Sequence, residues 1–411
     1  MRVNFKGFDF VEGGLCAPAG FKAAGIHCGI RKNKTKRDLA LVYSDTLCNA
    51  AAIYTQNKVK GAPIAVTKRN IRNGKAQAII ANSGNANTCN ADGEWKAEQM
   101  CELCASELHI DKEDVIVAST GVIGQVLDIE PIATGMAQLA SELSIDGSGN
   151  AAEAIMTTDT AKKELAVEFK LGDKTCRIAG IAKGSGMIHP NMATMLCFMT
   201  TDVAIQPELL QIVLKKVADD TFNMVSVDGD TSTNDMACIL ASGKAGNPEI
   251  DKQDKNCEIF MNALYVLMMN LSREIAADGE GATKLLECHV SGAADEATAK
   301  TVAKSVITSS LFKSAMFGAD ANWGRILCAV GYADAEFQIG EVGVQLASAK
   351  GCIRVCEHGA GVDFSEELAK EILLEDEIKI LVELGKGPCS AVAWGCDLTY
   401  DYVKINGDYR T

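Results

Sequence analysis

Lys183-Gly184-Ser185-Gly186 is a short glycine-rich stretch, and beyond it Pro190-Asn191-Met192-Ala193 leads into Thr194-Met-Leu-Cys-Phe-Met. The run after Ala193 is apolar enough to read as a buried strand, and the hydroxyl of Thr194 is the first reactive group in it. A threonine nucleophile needs a base. None of the familiar arrangements supplies one, because the chain has no GxSxG elbow, no HExxH and no GxxxxGK[ST] loop. Five histidines leave a Ser-His-Asp triad open, but only His189 lies near the loop, and it reads as a loop histidine. A threonine whose own α-amine is free needs no histidine, since that amine has a pKa of about 7.7–8.0. Thr194 is internal, so the chain would have to be cut between Ala193 and Thr194. The hydroxyl can attack the Ala193 carbonyl to give an ester that water hydrolyses, and the glycines upstream permit the strained turn this needs. On the residues alone, a threonine that merely starts a strand stays open beside this reading.

Other chemistry-bearing groups are weaker. Cys101-Glu-Leu-Cys104 has metal-ligand spacing but no second pair, and both thiols fit the inner face of a helix over 94–108. Cys352, Cys356 and His358 form a looser cluster. With sixteen cysteines scattered through mixed surroundings, free buried thiols are the expectation.

The elements that must hold these groups alternate between strand and helix patterns. AQAIIA (76–81) and DVIVA (114–118) read as strands, as do 350–355 and 377–384. Segments 94–108, 131–143, 209–222 and 256–277 carry apolar residues at helical spacing, and 298–307 opens a further mixed region. The class expected is mixed α/β. Polar loops fall at the ends of the elements: Asn82-Ser-Gly-Asn-Ala-Asn87, Ser119-Thr-Gly-Val-Ile-Gly124, Asp228-Gly-Asp-Thr-Ser-Thr-Asn-Asp235, and Asp320-Ala-Asn-Trp-Gly-Arg325 ahead of Ile326-Leu-Cys-Ala-Val. Each alone is an ordinary turn. Four in one chain point to a shared site on a rigid scaffold.

Composition sets the outer limits. With 411 residues, 47% hydrophobic and 23% charged, the chain has the balance of a soluble globular protein with a sizeable core. A formal charge of −14 argues against nucleic acid and anionic membrane as partners. No signal-peptide pattern is visible, and the apolar stretch 263–269 is too short to span a bilayer, so a cytoplasmic location is expected.

Several motifs in order carry a resemblance across essentially the whole chain: APAGFKAAGIHCGI, ANSGNAN, STGVIG, IMTTDT, KGSGMIHPNMATML, VDGDTSTND, FGADANWGRI and the C-terminal NGDYRT. The sequence resembles the ArgJ family of glutamate N-acetyltransferases, also called ornithine acetyltransferases. The resemblance implies an N-terminal-nucleophile type of fold, a layered αββα sandwich with a smaller α/β lobe. It implies self-cleavage into an α chain, residues 1–193, and a β chain, residues 194–411, that stay together as α2β2. It implies Thr194 as nucleophile and Thr120 and Gly121 as the oxyanion hole. Substrate contacts are implied at Thr157 (with Thr158 the adjacent alternative), Lys183, Thr194, Glu280, Asn406 and Thr411. Lys183 suits an amino-acid carboxylate and Glu280 a cationic amine. The implied reaction is ping-pong: N-acetylornithine acetylates Thr194, ornithine leaves, and glutamate takes the acetyl group, with no metal or organic cofactor. Some members also use acetyl-CoA as donor, and no residue here decides between the two forms. The rivals are a self-processing aminopeptidase or amidase and a non-enzymatic binding protein.

Overall fold

The computed structural model describes residues 2–189 and 195–407. In chain order its strands are β1 (Asp9–Val11), β2 (Phe21–Ile26), β3 (Leu39–Tyr54), β4 (Lys75–Asn85), β5 (Val115–Val122), β6 (Lys163–Leu171), β7 (Lys174–Lys183), β8 (Leu196–Thr201), β9 (Val225–Ser226), β10 (Met236–Ala241), β11 (Leu285–Ala293), β12 (Gly343–Ser348), β13 (Gly351–Glu357), β14 (Ala360–Gly361), β15 (Glu377–Glu383) and β16 (Cys389–Cys396). The helices are α1 (Ala62–Asn70), α2 (Gly93–Leu108), α3 (Glu130–Ser141), α4 (Ser148–Ile155), α5 (Pro207–Asp220), α6 (Lys255–Ala277), α7 (Glu296–Thr308), α8 (Ser310–Phe317), α9 (Trp323–Gly331), α10 (Glu366–Leu373) and α11 (Tyr400–Gly407).

A nine-stranded sheet runs β1-β6-β7-β8-β10-β3-β4-β5, with β2 also on β3. β3 joins its two halves. Between the pairs Tyr43–Ala78 and Cys48–Ala76, β3 advances five residues while β4 advances two. Extra residues on one strand bend it. The first half of β3 carries β2 and most of β4, and the second half carries β10 and the first residues of β4. Ala40 and Val42 from one half, and Ala50 and Ala52 from the other, enter a single cluster. It also holds Ile79 and Ile116 of β4 and β5 and Phe198 and Cys238 of β8 and β10. The alternate residues Leu41, Ile80 and Val117 pack outward against α2 and α3. On the far side, Cys197, Met199 and Ile239 pack against α5 and α6. The result is helix, sheet, sheet, helix.

The second sheet runs β14-β13-β12-β15-β11-β16-β9. Helix α6 joins it to the first. Asp254 caps α6 by accepting from the backbone N–H of Asn256 (2.9 Å) and Cys257 (3.2 Å). The helix is apolar on nearly all faces because it lies between layers. Leu267 and Leu271 lean toward Gly180 of β7, while other side chains of the same helix join the cluster that holds Val290 and Trp394 of β11 and β16. Each fully buried Leu or Phe of this helix contributes about 1.5–3 kcal/mol.

Two segments that the sequence left unassigned are helices. Residues 298–307 lie in helix α7, capped by Asp295. Ile326-Leu-Cys-Ala-Val is the body of α9: Ile326, Ala329 and Val330 are its buried face, at helical spacing. No helix among the described residues is long and apolar enough to cross a membrane.

Candidate active site

The pairing of the strands brings distant loops to one end of the sandwich. β4 and β5 are parallel, so Asn82–Asn87 and Ser119–Gly124 leave them side by side. β8 and β10 are also parallel, and β7 runs against β8. The end of β7 at Lys183 therefore meets the start of β8 at Leu196, and Met236 at the start of β10 pairs with that same residue. Thr120, Gly121, Thr157, Lys183, Glu280 and Asn406 line one cavity of about 310 Å³ there, with Thr158 and Asn234. Ala193, Thr194 and Thr411 lie outside the described residues.

Asn234 ties three of the polar loops together. Its amide donates to the carbonyl of Ser119 (2.9 Å), and its Oδ1 accepts from the hydroxyls of Thr88 (2.6 Å) and Thr233 (2.5 Å). Gly121 has φ +133°, and a Cβ on it would stand 2.4 Å from the backbone carbon of Gly84. Only glycine fits where these strands close on each other. Gly186 is tight for another reason: a Cβ there would stand 2.3 Å from the carboxyl carbon of Glu280. Glu280 itself is buried, donates from its backbone N–H to the carbonyl of Ser185 (2.9 Å), and accepts from the amide of Asn406 (2.7 Å).

Electrostatics centre on Asp159, which sequence reasoning passed over. Its carboxylate accepts from the N–H of Gly184 (2.7 Å), the N–H of Thr157 (3.0 Å) and Nζ of Lys163 (2.8 Å). Burial opposes its ionisation, yet Lys183 and Lys163 hold its carboxyl well below the usual range. Lys163, almost fully buried, also pairs with Asp278 at 2.5 Å, two residues before Glu280. Asp159 thus fixes the loops bearing Thr157 and Gly184, and Lys163 links them to the loop bearing Glu280. The visible signal was the acidic residue inside TTDT, four residues ahead of a lysine.

Lys183 is buried but makes no hydrogen bond through Nζ among the described residues. Burial lowers its pKa, against the pull of Asp159. The hydroxyl of Thr158 is committed to Ser185 Oγ at 2.6 Å, whereas the hydroxyls of Thr157 and Thr120 have no partner among the described residues. The cavity is therefore lined by an ammonium, a carboxylate and uncommitted hydroxyls.

The fourth polar loop does not join. Asn322 caps α9, accepting from the N–H of Arg325 (3.2 Å), and Trp323 lies against Gly361 in the other lobe. His189 does not line the cavity either; its ring faces Ser226 Oγ at 3.1 Å, and burial lowers its pKa to about 4. Cys101 and Cys104 are buried on the inner face of α2, where burial pushes the Cys101 thiol up to about 12. Among the described residues, no group of three or more His, Cys, Asp or Glu could hold a metal ion.

Fold and cavity together define a layered α/β protein with a polar, mixed-charge cavity at the ends of its central strands. The ArgJ family model matches residues 22–411, and the chain belongs to the ArgJ family. The arginine biosynthesis bifunctional protein ArgJ of Caldanaerobacter subterraneus subsp. tengcongensis is 48% identical over 404 residues, covering 98% of this chain and 100% of that protein. The protein of the same name from Bacillus subtilis is 46% identical over 403 residues, covering 98% and 97%. Among solved structures, the crystal structure of arginine biosynthesis bifunctional protein ArgJ from Bacillus halodurans aligns with a TM-score of 0.50 at 45% identity. It covers 53% of this chain and 100% of that one.

Proposed function

We propose that this protein transfers an acetyl group from N-acetylornithine to glutamate through an acetyl-Thr194 intermediate, after cutting itself between Ala193 and Thr194. One observation carries the reading: the uncommitted ammonium of Lys183, the carboxylate of Glu280 and the Thr120–Gly121 corner line one cavity, and Thr120 and Lys183 also line the small space against Met195 and Leu196 at the start of β8. The names of the relatives, which place them in arginine biosynthesis, support it.

In this reading Lys183 takes the α-carboxylate of either amino acid. Glu280, held by Asn406, takes the side-chain ammonium of N-acetylornithine, and Thr157 adds a hydroxyl contact. Thr411 is a further substrate contact in this reading. The α-amine of Thr194 takes the hydroxyl proton as oxygen attacks the acetyl carbonyl, then returns it to the departing ornithine amine. Thr120 Oγ and the Gly121 N–H donate to the oxyanion, and loss of one such donor typically costs about 2.7–4 kcal/mol. Glutamate enters, its α-amine attacks the ester, and N-acetylglutamate leaves. The two chains remain associated as α2β2 in the cytoplasm. The second donor, acetyl-CoA, is a question for assay with each donor alone.

The test is transfer itself. With N-acetylornithine as donor, ornithine release should depend on glutamate and match the N-acetylglutamate formed. Release of acetate at the same rate without glutamate would identify a hydrolase instead.

A further inference from the structure

The amine that serves as base in acetyl transfer does not exist until the chain is cut, so the cut needs another proton carrier. Asp235, the last residue of the VDGDTSTND segment, is 2% exposed and has no part in the transfer. It stands beside Met195: the N–H of Met236 donates to the carbonyl of Met195 at 2.9 Å, and Met236 pairs with Leu196. Met195 follows the nucleophile directly, and Cα atoms of consecutive residues are about 3.8 Å apart.

Oδ2 of Asp235 is buried and has no hydrogen-bond partner among the described residues. Such an orphan is costly, and a native fold keeps one for a reason. Asp235 also lines a cavity of about 20 Å³ with Thr120, Lys183, Gly186 and Met195. That space is enough for about one water. Thr120, Lys183 and Asn234 line both this space and the larger cavity. Burial raises the Asp235 pKa well above the ordinary value, and the hydroxyls of Ser232 and Thr55, the charge of Lys183 and the Met195 N–H only partly offset it. A protonated carboxyl can accept a proton on one oxygen while it gives one from the other.

We propose that the carboxyl of Asp235, directly or through one water, relays the proton in the self-cleavage of the chain before Thr194, a role that rests on the cut described above. As Thr194 Oγ bonds to the Ala193 carbonyl carbon, one carboxyl oxygen receives the hydroxyl proton. The other oxygen gives its proton to the Thr194 nitrogen as the C–N bond breaks. The carboxyl ends as it began and the peptide has become an ester, with no other reactant. Water then splits the ester into the Ala193 carboxylate, the Thr194 hydroxyl and a proton.

The test follows the full-length chain on denaturing gels for wild type, Asp235→Asn and Asp235→Glu, with thermal melting as the control for folding. The Asn variant should melt like wild type yet convert at least a hundredfold more slowly. Neutral hydroxylamine, which cleaves esters, should not restore its fragments, because no ester forms. The Glu variant, which keeps the acid, should cut faster than the Asn variant. Wild-type conversion by Asp235→Asn, hydroxylamine-released fragments from it, or equal rates for Asn and Glu would each overturn the relay. An uncut, active wild type would instead overturn the cleavage on which it rests.

Discussion

Two cavities of this molecule carry buried charge, and they treat it in opposite ways. The larger, about 430 Å³, lies where α6 meets the second sheet and is lined by Arg2, Arg273, Glu274, Lys284 and Glu377 among others. Its cations are committed. Arg2 pairs with Glu274 at 2.8 Å, and Arg273 pairs with Glu287 and, at 3.0 Å, with Glu377. Lys284 donates to the carbonyls of Met316 (2.6 Å) and Leu373 (2.7 Å). The smaller cavity holds Lys183, whose ammonium has no such bond among the described residues. Size does not separate a seam from a site; uncommitted charge and hydroxyls do.

The contrast is most open to attack through paired substitutions. Lys183→Met should lower kcat/KM at least a hundredfold for both amino acids, since a charge-assisted contact is lost at the carboxylate. It should leave the melting temperature little changed: the cost of burying an unbonded ammonium is removed, and the buried Asp159 carboxylate, which loses the pull of Lys183, keeps Lys163 and two backbone N–H donors. Arg273→Met should do the reverse. It takes the guanidinium from the buried Glu287 carboxylate, leaving it only the Trp394 indole N–H and the His289 ring, both at 3.2 Å, and should cost about 3 kcal/mol in urea unfolding, with kcat/KM of the folded protein unchanged. If both variants lose stability alike, the contrast fails.

Thr120→Val keeps the shape of the corner and removes a donor. The transfer rate should fall about a hundredfold to a thousandfold with KM little changed, measured under saturating glutamate. Glu280→Gln should raise KM for N-acetylornithine about tenfold or more while sparing glutamate, whose side chain carries the opposite charge. Smallest is Asn406→Ala, which removes one hydrogen bond to Glu280 and should shift KM for N-acetylornithine by a few-fold in the same assay.

Elements with long, strongly periodic patterns were readable in advance: α2, α5 and α6 follow the spacing of their apolar residues, and β4 and β5 their compact apolar runs. Short apolar runs were not. Five residues such as Ile326–Val330 satisfy strand and helix alike, and only the cap at Asn322 and the packing of α7 to α9 decide. The site was half legible. Thr120, Gly121, Lys183, Glu280 and Asn406 sit in motifs, but what holds them does not. Asp159, Lys163 and Asp278 join across 119 residues, and Asn234 looks like any turn asparagine until Ser119 and Thr88 reach it. Nothing in the sequence tells Thr157 from Thr158 either; the difference between them, that Ser185 engages the Thr158 hydroxyl, comes from the fold.

The central claim is that the hydroxyl of Thr194 works beside its own freed amine. Intact mass and N-terminal sequencing of purified, active protein test it most directly. Two fragments should appear, of 193 and 218 residues before any initiator-methionine loss, the second beginning Thr-Met-Leu-Cys. A single full-length chain with undiminished glutamate-dependent transfer would contradict it.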